Sequence, residues 1–146
     1  MDVMNFLQID QRIATSGQPR RAEFSLIADA GYAAVVNLGL PSSEGAILDE
    51  GGLVTSAGMN YFHIPVEWQS PKLAQFQLFS GVMKALDEKD VWVHCALNMR
   101  TSCFVYLYAV VHQGVDRRLA MERVEKVWHP NEIWSGFVDH AEKTLL

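Results

Sequence analysis

The residues that could do chemistry are concentrated in Val91 to Ser102, reading Val-Trp-Val-His-Cys-Ala-Leu-Asn-Met-Arg-Thr-Ser. A short apolar run ends in His94 and Cys95. Four residues separate Cys95 from Arg100, and Thr101, Ser102 and a long apolar segment follow. The order reads as a buried strand, a tight loop and the first turn of a helix. At such a junction backbone N–H groups converge and the helix dipole adds positive potential. Cysteines in that setting ionise more readily than free thiols and act as thiolate nucleophiles. The same field, joined by the Arg100 guanidinium, suits an oxyanion such as phosphate.

The rest of the chain must hold that loop. Its 146 residues suffice for one domain, 1–146, with a real core, and fall short of two ordinary ones. Hydrophobic residues make up 49%, which argues against disorder. Twelve Lys and Arg against 17 Asp and Glu leave a net charge of −5, with no basic run, so a nucleic-acid partner is not expected. Phosphate recognition would have to be local, made by loop amides and one or two Arg. No stretch approaches the roughly 18 apolar residues of a membrane span, so no membrane partner is expected either. Met1 to Asp10 lacks a basic segment followed by a long apolar one, which points to a cytoplasmic location; an exported protein already processed would look the same. His63 reads as a strand-end or core histidine, His112, His129 and His140 show no metal-ligand spacing, and no metal or cofactor is expected. The oligomeric state leaves no trace.

Taken in order, Phe6–Ile9 and Arg12–Ala14 read as an opening strand or hairpin. Thr15–Pro19 is a turn cluster, with Pro19 opening a helix over Arg20–Ala30 whose inner face is Phe24, Leu26, Ile27 and Ala30. Gly31 closes it. Ala33–Leu38 is a buried strand, Gly39–Gly45 a loop and Ile47–Ala57 a helix despite Gly51 and Gly52. Asn60–Val66 is the next strand. Ser70 and Pro71 read as N-cap and first residue of a helix with Leu73, Phe76, Phe79, Met83 and Leu86 on one face. Val91–Val93 is the last strand. Thr101–His112 is apolar nearly all round, the mark of a central helix. Asp116 caps a helix with Leu119, Val124 and Val127 inward, and Asn131 caps a terminal one with Ile133, Trp134, Phe137, Val138 and Ala141 inward. The alternation predicts an α/β fold: a small, mostly parallel central sheet of about four to five strands flanked by helices, with a helical C-terminal third. Ligands of such sheets bind at the carboxyl ends of the strands, where Cys95 lies.

His94-Cys95, a short loop, Arg100 and Thr101-Ser102 resemble the signature of cysteine-dependent phosphatases, the tyrosine and dual-specificity enzymes. Thr15-Ser16-Gly17-Gln18-Pro19, Val35-Val36-Asn37-Leu38, Gly58-Met59-Asn60-Tyr61 and His63-Ile64-Pro65-Val66 extend the resemblance, in the right order, to a small bacterial phosphatase-like family. That family includes the phosphatase-like domain of beta-lactamase-hydrolase-like proteins. The resemblance implies a dual-specificity-phosphatase-like fold and hydrolysis of a phosphomonoester, such as phosphotyrosine or phosphoserine. It implies that Cys95 attacks phosphorus, that Arg100 and the amides of Ala96, Leu97, Asn98 and Met99 bind the oxygens, and that Thr101 stabilises the departing thiolate. His94 would orient the loop. Glu67, 28 positions before Cys95, stands where the family carries its general acid, usually Asp; Trp68 would shield it and favour its protonated form.

The loop departs from that pattern. The phosphatase loop has five residues between Cys and Arg and usually a Gly; here there are four and no Gly. Asn98 is the one that readily turns left-handed and could stand in for it. A lost transition-state donor would cost about 3 kcal/mol. Single-domain rhodaneses resemble this stretch in having a six-residue loop from Cys to Arg, which implies sulfur transfer through a Cys95 persulfide. A third expectation is an inactive protein that binds phosphate or another small oxyanion. Cys103 reads as a small core residue, or as a resolving thiol for Cys95. Arg20 and Arg21 read as solvated.

Overall fold

The computed structural model describes residues 1–146. The elements run β1 (Leu7–Gln8), β2 (Ile13–Ser16), α1 (Glu23–Asp29), β3 (Ala34–Asn37), α2 (Glu50–Ser56), β4 (Asn60–His63), α3 (Leu73–Ala85), β5 (Val91–His94), α4 (Met99–His112), α5 (Arg117–Glu125) and α6 (Glu132–Leu145). The five strands form one sheet in the order β1-β2-β5-β3-β4. Only the β1–β2 pair is antiparallel. The expected α/β class, strand number and opening hairpin are therefore found.

Register explains the placement of polar groups. Ser16, His94, Asn37 and His63 lie opposite one another across β2, β5, β3 and β4. They end the four parallel strands in one polar row, and the site is built on it. Below that row the strand residues, apart from Thr15 and Asn60, are apolar or aromatic and alternate between faces. Ala14, Val35 and Trp92 pack under Phe24 and Ile27 of α1 and Val54 of α2. Ile13, Ala34, Val36, Val91 and Val93 pack under α3 to α6. Trp92 is fully buried and its indole N–H is satisfied by the Ser16 hydroxyl at 2.8 Å. Helix α4 is buried continuously from Arg100 to Val110, as its all-round apolar sequence requires.

Several boundaries differ from the sequence reading. Pro19 does not open α1. The Glu23 carboxylate folds back to accept the Arg20 N–H at 2.7 Å, so residues 20–22 form a turn and the helix starts at Glu23. Only Phe24 and Ile27 face inward; Leu26 and Ala30 lie outside. Ser70 and Pro71 do not begin α3. The Gln75 side chain caps the Lys72 N–H at 3.0 Å, and the helix starts at Leu73. Thr15 and Ser16 belong to β2 rather than to a turn. α2 begins at Glu50, three residues after Ile47. Val124, Trp134, Phe137, Val138 and Ala141 face inward as expected, but Leu119 and Ile133 are exposed, and Ala120 rather than Leu119 faces the core from α5. Asp116 and Asn131 do cap their helices, accepting the N–H groups of Leu119 and Trp134. No helix is long and apolar enough to cross a membrane.

Candidate active site

Strand β5 delivers Cys95 to the carboxyl edge of the sheet, where it is 1% exposed. Asn98 then turns left-handed, with φ of 71°, and serves as N-cap of α4. The expected substitute for glycine is thus Asn98. Its turn starts the helix at Met99 and places Arg100 in the first helical turn rather than at the end of a loop.

Three successive carbonyls of this loop are held by donors. The Cys95 carbonyl accepts from His94 Nδ1 at 3.0 Å, that of Ala96 from the Gln18 backbone N–H at 2.9 Å, and that of Leu97 from Asn5 Nδ2 at 3.0 Å. Each carbonyl shares a planar trans peptide with the next N–H, which points the opposite way. The N–H groups of Ala96, Leu97 and Asn98 therefore face away from those three donors. Neither they nor the N–H groups of Met99, Arg100 and Thr101 have an acceptor within the protein. Consecutive free amides at the start of a fourteen-residue helix are an arrangement of donors that suits an anion. A pocket of about 150 Å³ opens on it, lined by Trp68, Cys95, Ala96, Leu97, Met99 and Arg100.

Gly17 allows the Gln18 bond. A Cβ on Gly17 would stand 2.6 Å from the Ala96 carbonyl oxygen, a backbone atom that cannot swing aside. Gly17→Ala is expected to displace the Ala96–Leu97 peptide and weaken oxyanion affinity about tenfold or more, the worth of one hydrogen bond to a charged group. Gly81, on α3 with nothing within 4 Å of its Cβ position, is the matched control. Calorimetric titration with tungstate that finds both Ala variants equal to wild type would remove this role.

A buried acid supports the loop from below. His94 is fully buried and its Nε2 lies 2.6 Å from Glu50 Oε2. The Cys95 carbonyl can only accept, so Nδ1 carries a proton, and a second proton sits in the Nε2–Glu50 bond. Glu50 is 2% exposed and its other oxygen accepts from Gln18 Nε2 at 2.7 Å. One segment, Gln18, thus holds both the loop and the acid that orients His94. Tyr61 closes the network: its hydroxyl accepts from Asn37 Nδ2 at 3.0 Å, and burial, with the Glu50 carboxylate adding to it, pushes the phenol up to about 12. Gly51 lets the Tyr61 ring approach, since a Cβ there would meet it at 3.1 Å. Sequence reasoning missed Glu50, Gln18 and Asn5. The available signal for Glu50 was a carboxylate in the first turn of a helix beside two glycines.

Arg100 is 6% exposed. Its Nη1 donates to the Val66 carbonyl at 2.8 Å and its Nη2 reaches the Ser43 hydroxyl at 3.4 Å. It ties the loops after β3 and β4 to the site while still lining the pocket with Cys95. Thr101 is fully buried and its hydroxyl has no partner within the protein. Glu67 is exposed, accepts from the Ser70 hydroxyl at 3.0 Å and does not line the Cys95 pocket. Trp68 does not shield it. That ring packs at a tilt against Trp128 and Trp134, with centroids 5.4 and 5.9 Å apart, and walls the pocket instead. Cys103 is a core residue whose thiol is pushed up to about 12 by burial, so it is no rival nucleophile at neutral pH. Arg20 and Arg21 are exposed but paired, with Glu23 at 3.2 Å and Asp49 at 2.6 Å. The structure therefore brings together Cys95, His94, Arg100 and the loop, and leaves Glu67 between Val66, which holds Arg100, and Trp68, which walls the pocket.

No family model matches the sequence. The chain is similar to a phosphatase-like DUF442 protein of Shewanella putrefaciens CN-32, with 34% identity, coverage of 99% of this chain and 95% of that one, and a TM-score of 0.89. It is 32% identical over 129 residues to a beta-lactamase hydrolase-like protein of Xylella fastidiosa, covering 86% of this chain. The chain spans 29% of the length of that curated relative. The fold is shared with P. aeruginosa TpbA in a complex with pTyr, at 19% identity and a TM-score of 0.72, covering 97% of this chain and 90% of that one.

Proposed function

The chain belongs to the DUF442 phosphatase-like family, and from that membership and the free amides around Cys95 we propose a phosphatase that hydrolyses a phosphomonoester through a cysteinyl-phosphate. The Cys95 thiolate attacks phosphorus and the ester P–O bond breaks. Glu67, protonated, gives its proton to the leaving oxygen. The Glu67 carboxylate then takes a proton from water, which attacks phosphorus. The P–S bond breaks and returns the thiolate with inorganic phosphate. The free amides from Ala96 to Thr101 and the uncommitted N–H groups of Arg100 stabilise the equatorial oxygens. The Thr101 hydroxyl, which has no other partner, donates to the departing thiolate.

The single observation that carries this reading is the run of free amides opposite three pinned carbonyls, next to a cysteine. The short loop by length also fits sulfur transfer; the left-handed turn at Asn98 and the phosphatase-like name of the Shewanella relative favour the phosphatase reading. Turnover of an aryl phosphate, inhibited by vanadate, tests it. Glu67→Gln is expected to lower kcat by roughly 10²–10⁴ with aryl phosphates of poor leaving groups. The sign follows from the acid's role. Raising pH removes the proton it must give, so wild type loses rate on the basic side, and the variant, having no such proton, shows a flat basic limb. An unchanged limb would reassign the general acid. Oxyanion binding without turnover would select the inactive binder.

A further inference from the structure

Asn5 and Asn98 both stand at positive φ, 52° and 71°. They are far apart in sequence and bonded to each other's segments. Asn5 Nδ2 donates to the Leu97 carbonyl at 3.0 Å, and Asn98 Nδ2 donates to the Asn5 carbonyl at 2.8 Å. The remaining Asn98 amide proton goes to Thr15 Oγ1 at 3.0 Å. The turn carrying Asn5 is itself anchored: Val3 is buried, the Met4 carbonyl accepts from the Gly17 N–H at 2.8 Å, and Phe6 packs on Trp92 at 5.4 Å. A reciprocal pair of amides between a fixed turn and a loop leaves the loop one orientation.

We propose that Asn5 is a positioning residue of the Cys95 loop: by holding the Leu97 carbonyl outward it turns the Asn98 N–H toward the bound oxyanion. The proposal rests on reading this loop as an anion site. Asn98 contributes no side-chain donor to the anion, because both its amide protons are spent on Asn5 and Thr15, so its backbone N–H is what it can offer. That N–H faces inward only while the Leu97–Asn98 peptide is held. Glycine at position 5 tolerates φ of 52° and deletes only the donor. Aspartate keeps the shape and replaces the donor by an acceptor facing a carbonyl.

Tungstate affinity, measured by calorimetry, and the ¹⁵N-resolved shift of the Asn98 amide on titration read the proposal without requiring turnover. Asn5→Gly is expected to weaken tungstate binding about tenfold and Asn5→Asp more, with the melting temperature of Asn5→Gly within a few degrees of wild type. In wild type the Asn98 amide should move downfield as tungstate binds, and in Asn5→Gly it should move less. Equal affinities in wild type and Asn5→Gly, or a wild-type Asn98 amide that ignores tungstate while the protein binds it, would overturn the role of Asn5 and leave the phosphatase reading intact. A wild type with no oxyanion affinity would overturn both. If neither variant folds, the wild-type amide shift decides.

Discussion

Cys95→Ser is expected to abolish aryl-phosphate turnover, by roughly 10⁴–10⁶-fold, the scale on which enzymes lose rate when a covalent nucleophile is removed. A serine hydroxyl at that position cannot form the phosphocysteine, and it ionises far less readily than a thiol. The binding apparatus is another matter. The amides of Ala96 to Thr101 and the Arg100 guanidinium are untouched by the change, as are the donors of Gln18, Asn5 and His94 that hold the loop carbonyls and the Val66 carbonyl that holds Arg100. Inorganic phosphate or tungstate should therefore bind Cys95→Ser within a few-fold of wild type. The pairing of lost turnover with kept affinity is the signature sought by steady-state kinetics and calorimetry on the same preparations. Turnover in Cys95→Ser equal to wild type would place the chemistry elsewhere. Iodoacetamide should inactivate wild type by modifying Cys95 alone, since Cys95 lines a pocket whereas the Cys103 thiol lies in the core and is held neutral.

Glu50→Ala should have the largest effect on stability. The change strips the only partner from His94 Nε2 in a place with no solvent, and it leaves the Gln18 side-chain amide with the Pro19 carbonyl as its one acceptor. Removing one member of a buried hydrogen-bonded pair costs about 3 kcal/mol because the other member stays buried and unpaired. For a chain of this size that corresponds to a fall in melting temperature of roughly 10 °C. A second effect follows at the site. The His94 ring, no longer held from below, loses its grip on the Cys95 carbonyl, and the Ala96 N–H loses its direction. Turnover at a temperature where the variant remains folded should drop about a hundredfold, the usual penalty for small misplacement of catalytic groups. Glu50→Gln keeps an acceptor for the Nε2 proton and should recover part of both losses. Thermal melts and kinetics showing Glu50→Ala equal to wild type would reduce the His94–Glu50 contact to packing.

The helix starts show why some of the fold was hard to read. Pro19 and the Ser70-Pro71 pair are good local signals, and each was overridden by a side chain reaching back from inside a helix, Glu23 to Arg20 and Gln75 to Lys72. Such back-bonds satisfy the same free N–H groups a cap would satisfy, so the first helical residue moves downstream. Leu26, Leu119 and Ile133 fell on the wrong side because helical periodicity constrains a face, and a helix as short as α1 leaves that face poorly determined.

The amino-acid sequence by itself determined the α/β layering, the place of Cys95 after a buried strand and the left-handed Asn98. These are local: short apolar runs alternate with helical stretches, one cysteine follows a buried strand, and one residue of the loop tolerates positive φ. What only the tertiary structure decided is how the loop is held. Glu50 is 44 residues from His94, Asn5 is 92 from Leu97, and Val66 is 34 from Arg100. Nothing in the spacing marks Glu50 among 17 acidic residues. It becomes the partner of His94 because the strand order sets β5 between β2 and β3, and α2 then covers that end of the sheet. Orientation of a peptide unit depends on which distant donor reaches its carbonyl, and a linear chain carries that information only once it is folded.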